Sequence, residues 1–157
     1  MSETGRDAFT SLFSPGILEV CENVSGLFGD ESFIETIGGP NSEQFLIMDK
    51  YDEFITCLRD GCSAVELGAK LRDLFIIMQV RFISEEMLMK CSNYPGHDSH
   101  KRHHRYFVTT IEGLINSKAS PKDAMERLIV FFPHWLLGHI LTADREYEEF
   151  NKLLPSA

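Results

Sequence analysis

The chain has 157 residues, 43% hydrophobic and 25% charged, enough for one domain with its own core. That balance excludes a disordered, collagen-like or low-complexity chain. Asp and Glu number 24 against 15 Lys and Arg, and the resulting formal charge of −9 argues against nucleic acid and anionic membranes, which select basic patches. The first ten residues lack a basic stretch followed by an apolar run, so no signal peptide is expected. Residues 1–41 read as an extension. Ile17, Val20, Cys21, Val24, Leu27 and Phe28 suit one short helix, and residues 33–37 an extended stretch. About forty residues with one such helix make no independent core, so the extension is expected to pack on the remainder, residues 42–157.

That remainder carries four helical series. The first is Ile47, Tyr51, Phe54 and Leu58. The second runs Leu67, Leu71, Leu74, Met78, Arg81, Glu85 and Leu88. His97, His100, His104, Phe107, Ile111 and Leu114 make the third, and Leu128, Phe132, Trp135, His139 and Thr142 the fourth. Ser120 and Pro121 read as N-cap and first residue of the last helix, while Pro133 should kink it or mark its true start. The apolar run from Leu128 to Leu141 is interrupted and shorter than the roughly 18 residues a membrane span needs. Short links between amphipathic helices predict an all-α, up-down four-helix bundle. Cys21, Cys57, Cys62 and Cys91 show no CxxC pair and are expected to be reduced thiols in a cytoplasmic protein, with a Cys57–Cys62 disulfide as the lesser alternative.

The informative residues are the polar ones on these stripes, because buried charge is costly unless it is paired or bound to metal. His100 and His104 are four apart and so share a helical face. His139 comes from the fourth helix and Glu85 from the second. Asp144 stands five residues after His139, roughly 140° round an ideal helix, and spacing alone does not select it. Three imidazoles and two carboxylates suit iron, with zinc or manganese as alternatives.

The segment Phe82-Ile-Ser-Glu85-Glu-Met-Leu-Met89, then Tyr94-Pro95, then His100-x3-His104-x2-Phe107, resembles the central signature of hemerythrins. Trp135-Leu-Leu-Gly-His139, with Asp144 and Tyr147 beyond, resembles their C-terminal signature. The resemblance spans roughly residues 45–150 and implies a four-helix bundle around non-haem iron. In that family five histidines and two bridging carboxylates bind two irons. The resemblance assigns His100, His104 and His139 to the three-histidine half and Glu85 and Asp144 to the bridges. The other half departs from the pattern. Arg81 stands where a ligating histidine is expected, and Tyr51, with Asp52 as the alternative match, stands at the first-helix histidine; no histidine precedes His97.

One iron is therefore expected, or an unsymmetrical pair with Tyr51 and Asp52 or Glu53 as oxygen ligands. Reversible dioxygen binding in the family draws electrons from both irons, and one ion lacks the second source. Arginine does not ligate, and it either extends its head to water or places it beside Glu85 and Asp144. Its planar fork suits bidentate pairing with a carboxylate, as a substitute for the second metal. The expected function is binding or sensing of dioxygen, nitric oxide or iron, working through a protein partner, a homo-oligomer or the N-terminal segment. A non-haem iron oxidase or peroxidase and a structural zinc bundle are the competing readings. The sequence offers no nucleophile–base pair and no nucleotide loop.

Overall fold

Among the described residues, the apolar positions recurring three and four apart fall on helices. A computed structural model describes residues 43–155, together with Glu19, Asn23 and residues 30–32. The short helix, extended stretch and packing expected for residues 1–41 lie largely outside the described residues. The helices are α1 (Glu43–Arg59), α2 (Ala64–Cys91), α3 (His97–Ile115), α4 (Pro121–His139) and, after a π-turn at Ile140–Asp144, α5 (Arg145–Lys152). Links of a few residues make α1 to α4 antiparallel neighbours in an up-down bundle, with α1 packed on α2, α2 on α3 and α3 on α4. None of the described helices is long and apolar enough to cross a membrane.

Local chemistry fixes several of the helix ends. Ser63 and Glu66 form a capping box at the start of α2, with the Ser63 Oγ accepting from the Glu66 N–H at 3.2 Å. Ser120 caps α4 by accepting from the Asp123 N–H at 3.1 Å, with Pro121 in the first turn as the sequence indicates. Pro133 lies inside α4 and is buried, so it is not the start of that helix. Asn93, at φ 53°, ends α2 in the left-handed conformation; Tyr94 N–H then donates to the Met89 carbonyl and Asn93 N–H to that of Lys90. Gly96 follows because a Cβ there would stand 2.5 Å from the Tyr94 ring.

The end of α1 corrects one expectation. Gly61, at φ 74°, lets the Cys62 N–H donate back to the Cys57 carbonyl at 3.1 Å. This turn normally closes with an apolar contact between the residues at those two positions. Here they are cysteines with Cα atoms 5.3 Å apart, and a disulfide joins them. Cys57 and Cys62 are thus not thiols, whereas Cys91 is free and exposed.

The core is aromatic at its middle. Phe107 is fully buried and its ring meets those of Phe75, Phe82, Phe131, Phe132 and Trp135 at centroid separations of 4.5 to 6.4 Å. Tyr51 crosses from α1 to α4 and lies parallel to Phe132 at 5.6 Å. Two predicted stripe positions point outward. Leu88 is 58% exposed and Met89 is buried in its place, and Thr142 is exposed because the π-turn shifts the helical register.

Opening the Cys57–Cys62 bridge removes a short loop constraint worth roughly 2 kcal/mol in the chain-entropy account. Reductant, or Cys62→Ser, is expected to lower the melting temperature by roughly 4–8 °C. Thermal unfolding followed by circular dichroism with and without dithiothreitol checks this, and coincident curves would show that the bridge adds nothing.

Candidate metal centre

Three helices deliver imidazoles and carboxylates to one level of the bundle. His100 and His104, one turn apart on α3, both face inward and are buried. Glu85 projects from α2 and His139 from the last turn of α4, where Trp135 stacks on its ring at 4.5 Å. Asp144 is buried as well. In a continuous α-helix it would stand about 140° away from His139. The π-turn closes its hydrogen-bonded ring between residues five apart and brings Asp144 back over His139. The Thr142 hydroxyl donates to the Gly138 carbonyl at 2.6 Å in the same turn.

Donor atoms of Glu85, His100, His104 and His139 all lie within 4.8 Å of one another, and Asp144 joins them beside His100 and His139. Glu85 Oε2 lies 3.3 Å from His104 Nε2 and 3.7 Å from His100 Nε2. Asp144 Oδ1 lies 2.9 Å from His139 Nε2 and 3.3 Å from His100 Nε2. His104 Nε2 and His139 Nε2 are 3.2 Å apart. Yet Glu85 Oε2, Asp144 Oδ1 and His100 Nε2 are buried with no hydrogen-bond partner among the described residues, because the contacts lack hydrogen-bond direction. Buried polar atoms left in this state are rare. A cation among the three nitrogens and two oxygens would satisfy them all, so the residues present fit a metal ion with mixed imidazole and carboxylate ligands.

The electrostatics agree with that need. Burial alone would lower the His100 pKa, but the Asp144 and Glu85 carboxylates outweigh it and push it up to about 9. Burial lowers that of His139, and Asp144 offsets only part of the effect. Burial would raise the Asp144 carboxyl, but His100, His139 and Arg81 hold it far below the usual range. His100, His104 and Arg81 likewise overcome burial to keep Glu85 low.

Arg81 completes the set and is only 6% exposed, so its head does not reach water. Its Nη2 donates to Glu85 Oε1 at 2.5 Å and to Asp144 Oδ2 at 2.9 Å. The pairing differs from the expected bidentate fork: one nitrogen spends its two protons on two carboxylates. Tyr51 is fully buried and stacked on Phe132. Glu53 pairs with Lys50 and Lys70, and with Asp52 it lines an outer cleft.

Sequence reasoning missed Glu86. Its Oε1 meets His104 Nδ1 at 2.9 Å, and its other oxygen pairs with Lys101 at 3.2 Å. A carboxylate there holds the proton on Nδ1 and leaves the Nε2 lone pair for a metal. The contact crosses two helices, so no helical period announces it; the only signal was an acidic residue beside a ligand. Phe82 stacks on His104 at 3.9 Å and fixes that ring's plane. A cleft of about 250 Å³ between α2 and α3 has Phe82, Glu86, Lys101 and His104 in its wall.

Fold and cluster together define a four-helix-bundle protein with a histidine–carboxylate metal-binding centre. Over 91 residues the chain is 35% identical to a myohemerythrin of Theromyzon tessulatum, covering 58% of this chain and 71% of the relative. A myohemerythrin of Sipunculus nudus is 29% identical over 103 residues, or 66% and 81% of the two chains. A hemerythrin of Phascolopsis gouldii is 33% identical over 67 residues, or 43% and 49%. No family model and no solved structure matches the chain. The chain belongs to the hemerythrin family.

Removing the Glu86 carboxylate as Glu86→Ala frees the His104 ring without touching a ligand. Metal affinity is expected to fall by about 10–100-fold with the helical content intact. Competition with a chelator for bound cobalt measures this, and equal affinities would show that Glu86 does not orient His104.

Proposed function

We propose that Glu85, His100, His104, His139 and Asp144 hold a non-haem iron ion, and that the protein binds or senses a small diatomic ligand at that centre. The observation that carries this reading is the convergence of buried donor atoms that lack hydrogen-bond partners among the described residues. The relatives' names and the iron chemistry implied by the two signatures support iron over other ions. Iron held by these residues would supply a site at which a small exogenous ligand could bind.

The chain's own residues prepare that position. Glu86 keeps the His104 proton on Nδ1, away from the metal side. Phe82 and Trp135 lie against the His104 and His139 rings and exclude water from one flank. The cleft beside His104 gives a small molecule an approach between α2 and α3. Tyr51 is given no ligand role in this reading; its ring lies parallel to that of Phe132, seven residues before His139.

Protein purified without added metal is expected to contain iron and to change its absorption spectrum when nitric oxide is added anaerobically. His104→Ala, like His100→Ala or His139→Ala, is expected to lose most of the metal. Acid acts in the same direction, because the ligands must be deprotonated; uptake displaces the His100 proton, so affinity should rise with pH up to about 9. Elemental analysis with anaerobic absorption spectroscopy decides. Full iron content in His104→Ala refutes the ligand assignment, and a colourless protein carrying only zinc replaces the iron reading with a structural one.

A further inference from the structure

Each carboxylate of the centre has two oxygens, and the structure sends them in opposite directions. Glu85 Oε2 and Asp144 Oδ1 face the imidazole nitrogens. Glu85 Oε1 and Asp144 Oδ2 face Arg81 Nη2, at 2.5 and 2.9 Å. A pair of carboxylates shared in this way is a bridge with a cation site on each side. One side is a cluster of lone pairs without a cation of its own. On the other stands a guanidinium that is part of the chain, 6% exposed, and unable to lose its proton in a protein.

Resting on the ligand assignment above, we propose that the centre takes a single metal ion and that Arg81 is its permanent second cation. Two facts support the limit of one. The oxygens that a second ion would need already accept from Nη2. A second ion on that side would also bring two further positive charges against a buried guanidinium, where repulsion is only weakly screened. Arg81 touches no exogenous ligand in this scheme. It positions Glu85 and Asp144 so that one oxygen of each turns to the histidines, and it keeps the buried charge balanced while the metal is absent. Arg81 is therefore the residue that sets stoichiometry.

The full chain, loaded with excess cobalt(II) and desalted, is expected to retain one ion per chain by elemental analysis. Its electron paramagnetic resonance signal should integrate to one isolated high-spin ion. Arg81→His frees Oε1 and Oδ2 and adds an imidazole on the same side, so the count should rise to two, with loss of signal through coupling across the bridge. Arg81→Lys keeps the charge and should stay at one. Two ions in the unmodified protein overturn the proposal and leave the ligand assignment standing. A folded Arg81→His protein that still holds one ion also overturns it. No ion bound by the unmodified protein ends the ligand assignment and this inference together.

Discussion

Two carboxylates, Asp144 buried and Glu85 partly buried, are the constraint on which the site end of this bundle depends. An ionised carboxylate inside a helical core costs several kcal/mol unless cations and hydrogen bonds surround it. Here Arg81 binds one oxygen of each, and the three imidazoles crowd the other. Neither side suffices alone. Arg81 donates to the outer oxygens only, and on the inner side the two carboxylates push the His100 pKa up. On the proposed ligand assignment, a metal ion would take the inner oxygens while Arg81 keeps the outer ones.

The backbone serves that arrangement at a few specific turns. A left-handed Asn93 and a side-chain-free Gly96 fold the α2–α3 link tightly, so that His100 comes opposite Glu85 one turn into α3. Tyr94 in that link meets Tyr147 and Phe150 of α5 at 5.1 and 5.0 Å, which ties the chain beyond Asp144 to the α2–α3 corner. The π-turn at Ile140–Asp144 then needs no support from sequence propensity. It is held between the stacked Trp135–His139 pair below and this aromatic contact above.

Much of this was legible in the sequence because periodic burial writes itself at spacings of three and four. The four helices, the Ser120–Pro121 start and the inward series through His100, His104 and Phe107 all follow from that pattern. What escaped it lies where the period changes or where contacts cross helices. Asp144 is off-register in an ideal helix, and only the inserted π-turn aligns it with His139. Glu86 reaches His104 across two helices, which no single-helix pattern encodes. The Cys57–Cys62 bridge depends on a left-handed Gly61, a property of the turn that a spacing rule for redox motifs does not detect.

The identity of residue 81 follows from the same charge constraint. Had an apolar residue stood there, Glu85 Oε1 and Asp144 Oδ2 would face the core with no donor, and both carboxylates would be driven toward protonation. A protonated carboxyl is a poor ligand, so loss of a cation on one side would weaken metal binding on the other. A lysine would bring a compact ammonium on a flexible stem, less suited to a fixed position between two acceptors. Arginine places a nitrogen with two protons between them and cannot surrender its charge when the metal arrives. On the proposed assignment, a side chain that ligates nothing would thereby preserve the ligands of the ion beside it.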